Sequence, residues 1–303
     1  MTDTFEDSKS HMSTFPASSF STSDGVRLNY IDVGEGQPLV MLPGWTQPAI
    51  GFEKQISALS RSYRCIALDP RCHGDSQHVE HGSRVSRFAK DCMELLDHLN
   101  LDQASLLGHS SGCVVIWSLI DLFGQNRVRS LILCDQMAVF VHQPDWTAEQ
   151  SNDFGAMMGP EEAFAMASEI EGSEGARILG EFIRSEFADD FPADQVDAVV
   201  AGSLRVPRRF AAALMRDIML ADYRDVLPEI RVPTLCLGGI DSHVGEKAMG
   251  WIASQIPKSN FKMIPARHFL HLENPNDFNS AVMEFLDRVD EVGGETPGSA
   301  ETT

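Results

Sequence analysis

Basic side chains are scarce in this sequence: 24 Lys and Arg stand against 44 Asp and Glu among 303 residues, a formal net charge of −20. A surface that grips nucleic-acid phosphates needs clustered Lys and Arg, so a nucleic-acid partner is excluded and an anionic membrane surface is disfavoured. No apolar run approaches the ~18 residues of a membrane span, so no membrane span is expected. The first residues are acidic and carry no apolar stretch, so no secretory leader is expected and a cytoplasmic location fits. Cysteine pairs are missing too. Cys65, Cys72, Cys92, Cys113, Cys134 and Cys236 form no C-x-x-C pair, which removes the common zinc and thioredoxin-like readings. They are expected as reduced, small core residues. No metal constellation, glycine-rich phosphate loop or internal repeat is found, so neither a metal nor a cofactor is predicted.

What is present is enough apolar sequence, 43% of residues, to bury a large core. Residues 1–20 are rich in Ser and Thr and predict a flexible N-terminal arm; 291–303 predict a flexible C-terminal tail. Between them, short continuous apolar runs alternate with helical patterns. Val26–Val33, Leu39–Leu42, Cys65–Leu68, Ala104–Leu107, Leu131–Cys134, Thr234–Leu237 and Phe261–Ile264 read as strands. Val85–Leu99 reads as a helix, with Phe88, Cys92, Leu95 and Leu96 on one face. The alternation predicts an α/β fold: a mostly parallel central sheet with helices on both faces. From 136 to 229 the strand rhythm stops and only helical patterns remain. The expected division is therefore a core of 21–135 and 230–290, with 136–229 inserted as a helical cap.

The strongest local signal is Gly108-His-Ser110-Ser-Gly112 between a predicted strand and a predicted helix. A sharp strand-to-helix turn needs glycines where side chains would collide, and it lifts the Ser110 hydroxyl clear of the sheet edge. Serine is a weak nucleophile without a base, and the base needs an orienting acid. His268, just past the last predicted strand, is the expected base, and His271 the structural alternative. Asp241, just past strand Thr234–Leu237, is the expected acid. Asp135, directly after strand Leu131–Cys134, is the rival acid, since both positions lie where such sheets hold ligands.

The order Ser110, Asp241, His268, together with Leu42-Pro-Gly-Trp45 and Asp69-Pro-Arg-Cys-His-Gly-Asp-Ser76, resembles the α/β-hydrolase family, in particular esterases and non-haem chloroperoxidases. The resemblance covers residues 26–289. It implies an oxyanion hole formed by the backbone N–H groups of Ser111 and Trp45, with proline at position 43 where the family usually has the histidine that braces this loop. The Trp45 ring either lines the acyl pocket or packs in the core. Cys72 replaces a usual glycine in the Asp69 turn, whose Arg71, His73 and Asp75 are expected to be structural. His109, Met157, Met158 and Phe164 are candidate pocket residues.

The expected function is a cofactor-free serine hydrolase acting on a small to medium, neutral or apolar carboxylic ester or lactone, with a small molecule as its partner and its oligomeric state left open. Perhydrolase and carbon–carbon hydrolase activity would use the same triad. The Leu-Pro-Gly-Trp loop also resembles cofactor-free quinolone dioxygenases, which use a His–Asp pair with the acid at the position of Asp135; Gln47 and Ser111 stand where those enzymes carry histidines. A non-catalytic small-molecule receptor on the same fold is the third expectation.

Overall fold

Strand β5 (Ala104–His109) is buried at every residue, and such a strand is stable only with covering layers on both faces of its sheet. The computed structural model, which describes residues 15–294, supplies both. The other strands are β1 (Ala17–Ser21), β2 (Arg27–Val33), β3 (Pro38–Leu42), β4 (Arg64–Leu68), β6 (Val128–Cys134), β7 (Thr234–Gly239) and β8 (Ser259–Ile264). Their spatial order is β1-β2-β4-β3-β5-β6-β7-β8. Pairs β1/β2 and β2/β4 are antiparallel, and the remaining pairs are parallel.

The helices are α1 (Glu53–Leu59), α2 (Val85–His98), α3 (Ser111–Phe123), α4 (Ala148–Phe154), α5 (Pro160–Glu171), α6 (Gly175–Ser185), α7 (Ala193–Leu204), α8 (Arg208–Met219), α9 (Gly245–Gln255), α10 (Leu270–Glu273) and α11 (Pro275–Gly294). One face of the sheet packs against Ile56 and Leu59 of α1 and Phe278, Val282, Phe285 and Leu286 of α11. The other packs against α2, α3 and α9 through residues such as Leu95, Ile116 and Ile252. Burying each such side chain contributes about 1.5–3 kcal/mol. Helix α3 is buried continuously from Ser111 to Ile120, as expected for a helix that is apolar all round.

All six cysteines are free and buried. Among the described residues, no helix is long and apolar enough to cross a membrane.

Two boundary expectations are corrected. Residues 17–20, expected within the flexible arm, belong to β1, which pairs with β2 from Ala17↔Ile31 to Ser21↔Arg27. Only Phe20 of β1 is buried, so backbone pairing, not an apolar pattern, makes this strand. Residues 291–294, expected in the tail, continue α11. Residues 1–14 and 295–303 of the expected arm and tail lie outside the described residues.

Strand order reverses between β3 and β5, the switch point at which open α/β sheets hold ligands. The registers Leu42↔Gly108, His109↔Cys134, Cys134↔Leu237 and Gly239↔Ile264 bring the carboxyl ends of five strands to one edge. Helices α4 to α8 lie between β6 and β7 in the chain, and α6 and α8 form the far wall of a cleft over that edge.

Candidate active site

Ser110 follows β5 directly and has φ 52° and ψ −126°, a conformation that costs a non-glycine residue of order 1–3 kcal/mol. The neighbouring glycines allow it. A Cβ on Gly112 would stand 2.2 Å from the Leu42 carbonyl oxygen, and one on Gly108 would stand 2.6 Å from the Gly112 backbone. Ser110 N–H donates to the Cys134 carbonyl (2.8 Å), and the Ser110 carbonyl accepts from Cys113 N–H (2.8 Å). The hydroxyl is left at the amino end of α3 and lines the cleft.

His268 is buried, and its Nδ1–H donates to Asp135 Oδ2 at 2.7 Å. The structure thus pairs His268 with Asp135, the rival position, and not with Asp241. Asp241 is exposed; its backbone N–H donates to the Ala266 carbonyl (3.1 Å), and its side chain makes no hydrogen bond or ion pair among the described residues. Asp135 is fully buried and has φ 52°. Its other donors are Gly239 N–H to Oδ1 (2.8 Å) and Ser242 Oγ–H to Oδ2 (2.5 Å). The β7 turn, which carries Asp241, thus supplies donors to the Asp135 carboxylate. Burial pulls the His268 pKa down, but the hydrogen bond and charge of Asp135, with Glu186 and Glu273 adding to the field, carry it above 6.5.

Neither Ser110 Oγ nor His268 Nε2 has a hydrogen-bond partner among the described residues, and both residues line the same cleft. Serine–histidine contacts often tighten only when substrate binds.

The backbone N–H groups of Trp45 and Ser111 also find no acceptor among the described residues. The Trp45 loop, which lacks the histidine brace, is held from the helices above. Trp45 Nε1 donates to the Ala211 carbonyl (2.9 Å), and Gln47 Nε2 donates to Ser203 Oγ (2.6 Å). Gln47 N–H closes the turn on the Gly44 carbonyl at 3.0 Å. The Trp45 ring lines the cleft, edge-on to Phe182 with centroids 6.0 Å apart.

The cleft encloses about 630 Å³, including its open mouth, and its wall is largely apolar: Met137, Phe140, Phe182, Ile183, Met215, Ile218, Met219 and Phe269. Of the candidate pocket residues, Trp45 and His109 line it. Met157, Met158 and Phe164 do not, which corrects that expectation. Met157 and Phe164 are 50% and 48% exposed. Met158 is tied back to the Phe140–Val141 segment by backbone pairing. The α4–α5 segment that carries them forms an outer layer, while α6 and α8 face the site. Three polar residues not anticipated in the site also line the cleft: Gln136, directly after Asp135; Glu186, which follows α6; and His243, whose Nδ1 lies 2.7 Å from Glu186 Oε2.

Three other histidines are buried. His109 Nε2–H donates to the His268 carbonyl at 2.8 Å, and burial holds its pKa down at about 3. His271 packs between Phe52 and Phe278, its pKa pushed well below 6.5 by burial. His73 accepts the same fate beneath the site, at about 4. In the Asp69 turn, Arg71 is buried and makes two hydrogen bonds of 2.7 Å to Asp91. Cys72 takes φ 66° where glycine is usual. Asp75 instead reaches Arg205 after α7, at 3.0 Å.

A family model described as alpha/beta hydrolase fold matches residues 37–275. The chain is 27% identical to the non-heme chloroperoxidase CPO-A1 of Kitasatospora aureofaciens over 88% of its own length and 98% of that protein. It is 25% identical to 3-oxoadipate enol-lactonase 1 of Acinetobacter baylyi over 75% of this chain and 80% of the lactonase. Among solved structures, the esterase RhEst1 from Rhodococcus sp. ECU1013 superposes with a TM-score of 0.77 at 26% identity, covering 90% of this chain and 99% of the esterase.

Proposed function

The chain belongs to the α/β-hydrolase fold family, and from that premise we propose that it is a cofactor-free serine hydrolase of small to medium, neutral or apolar carboxylic esters or lactones. The observation that carries this reading is the strained Ser110 at the amino end of α3, flanked by two unpaired backbone N–H groups and facing the cleft of His268. In the reaction, His268 Nε2 takes the Ser110 proton as Oγ attacks the carbonyl carbon. Trp45 and Ser111 N–H hold the resulting oxyanion; each such donor contributes about 3 kcal/mol to the transition state. The imidazolium gives its proton to the departing alkoxide, leaving an acyl-serine. Water then attacks, with its proton passing to His268 and on to Ser110. Asp135 fixes the Nδ1–H tautomer and stabilises the imidazolium.

The apolar wall of α6 and α8 favours apolar acyl or alcohol groups, and the net charge of −20 opposes capture of strongly anionic ones. The enol-lactonase and esterase likenesses support the same bond class. Labelling by a fluorophosphonate and turnover of an acyl-chain and lactone panel test it. Ser110→Ala should lose both; full activity in that variant would sink the mechanism.

One observation favours a second reading. The His268–Asp135 pair, with acid after β6, is the pairing expected of a cofactor-free dioxygenase that deprotonates a hydroxyquinolone. Oxygen consumption on adding a 3-hydroxy-4-quinolone would select it.

A further inference from the structure

We propose that Glu186, His243 and His268 form a binding site for a divalent transition-metal ion of the zinc class at the mouth of the cleft, and that the bound ion silences His268. The three residues come from the end of α6, the turn after β7 and the loop after β8. One donor atom from each lies within 4.8 Å of the other two. Two imidazoles and a carboxylate are the donors that zinc, cobalt and nickel take, leaving a fourth position for water; magnesium and calcium prefer all-oxygen sets.

Each side chain is already in a state suited to ligation. His268 donates Nδ1–H to Asp135, so its available lone pair is on Nε2, and a carboxylate behind the imidazole is the arrangement that orients metal-binding histidines. The Glu186 side chain is 9% exposed, and among the described residues it pairs with His243 alone, at 2.7 Å. A buried carboxylate with one imidazole partner is under-compensated. A dication replacing the proton between them would supply the missing charge, in a protein whose net charge of −20 attracts cations.

The backbone around the site is fixed as well. His268 N–H donates to the Glu186 carbonyl at 3.3 Å, and Arg267 Nη1 donates to the Phe187 and Ser185 carbonyls at 2.9 and 3.3 Å. The Phe187 and Phe269 rings stack with centroids 4.3 Å apart. Tetrahedral ligands of zinc stand about 3.3 Å from one another, so the donors need to close by no more than about 1.5 Å from their spacing of up to 4.8 Å. Sequence spacing offers no sign of it, because the three residues belong to separate elements.

Silencing follows because the ion occupies Nε2, the atom that must accept the Ser110 proton; this consequence rests on the hydrolase reading, while metal binding does not. The test uses chelator-treated full chain without a polyhistidine tag, titrated with Co²⁺ as a visible probe. One Co²⁺ per chain should give the d–d absorption of a four- or five-coordinate site and be displaced by Zn²⁺. Glu186→Gln and His243→Ala, both checked for fold by circular dichroism, should each weaken Co²⁺ binding by at least about tenfold. In wild type, Zn²⁺ should suppress aryl-ester hydrolysis and a chelator should restore it; in the two variants the same Zn²⁺ should leave each variant's own rate unchanged. No Co²⁺ band, or an undiminished affinity in both variants, would overturn the site. A Co²⁺ site in a protein without esterase activity would instead retain the metal site and remove the hydrolase reading.

Discussion

His109 Nε2–H donates to the backbone carbonyl of His268 at 2.8 Å, tying the residue before the proposed nucleophile to the loop that carries its base. The bond spans β5 and β8 ends that are not neighbours in the sheet, so it acts as a fixed spacer between Ser110 and His268.

Replacing His109 by Phe keeps a ring in place and removes that donor. Misplacing a reacting group by about 1 Å costs roughly 100-fold in rate, so kcat should fall between about ten- and 100-fold. KM for an apolar aryl ester should change little. His109→Gln, which retains a donor, should recover part of the loss. Steady-state kinetics on the three proteins decides it, and equal loss in Phe and Gln variants would count against a spacer role.

Asp135→Asn should reduce kcat by about 10⁴-fold, since an amide disfavours the tautomer and leaves the imidazolium unsupported. Asp241→Asn should stay within about threefold of wild type, because its exposed side chain holds no partner; surface substitutions of this kind are nearly neutral. Ester hydrolysis by the two purified variants checks the pair. The reverse ranking would restore Asp241 as the acid.

Gly112→Ala tests the turn itself. The new Cβ would meet the Leu42 carbonyl oxygen at 2.2 Å, a backbone atom with no flexible side chain to yield. A loss of at least about 2 kcal/mol is expected, in the range of overpacked core sites. The shift in the urea midpoint reads it, and a midpoint equal to wild type would mean that the turn has room the distances deny.

Acid should unfold the protein through its buried neutral histidines. Burial holds His73 at about 4 and His109 at about 3, against 6.5 when unfolded. At these two sites the unfolded chain therefore binds more protons below pH 6.5, and their contribution to stability is complete above 6.5 and lost as pH falls toward 4. Asp69, which burial raises to about 6, works in the opposite sense between 6 and 3.8 and offsets one proton. Each histidine contributes a slope of about 1.4 kcal/mol per pH unit within its window. Urea midpoints from pH 7.5 to 4.5 should fall, and His73→Gln should flatten the slope by about one proton. An unchanged slope in that variant would refute the assignment.

The parts of the site that the sequence revealed are those whose chemistry is local. Gly108 and Gly112 around Ser110 announce a tight turn, and His268 follows a strand end, so both are legible from a few residues. The choice between Asp135 and Asp241 is not. Both follow strands ending on the same edge, and both keep the Ser-Asp-His order. What selects Asp135 is its own φ of 52° and the donors Gly239 and Ser242, which only the folded β7 turn supplies. Met157 and Phe164 have the apolar character of a pocket wall, but composition carries no information about which layer of helices faces the cleft. Glu186 and His243 were invisible for a related reason: their proximity is made by docking α6 against two strand-end loops. Strand β1 escaped because one buried residue, Phe20, makes no periodic pattern.

The position of the proposed acid has a consequence for rebuilding this protein. Asp135 is followed at once by Gln136 and Met137, both in the cleft wall, so the chain passes from acid to substrate contact to helical insertion without a spacer. The return crossing, from α8 to β7, carries none of the proposed catalytic residues. Grafting a foreign set of helices is therefore asymmetric: an exit seam between α8 and β7 leaves the proposed catalytic residues in place, whereas an entry seam before Phe140 would re-aim the Asp135 carboxylate along with the wall. A library that splices after Phe140 should keep turnover only where the new helices also restore the Ala211 and Ser203 contacts that hold the Trp45 loop.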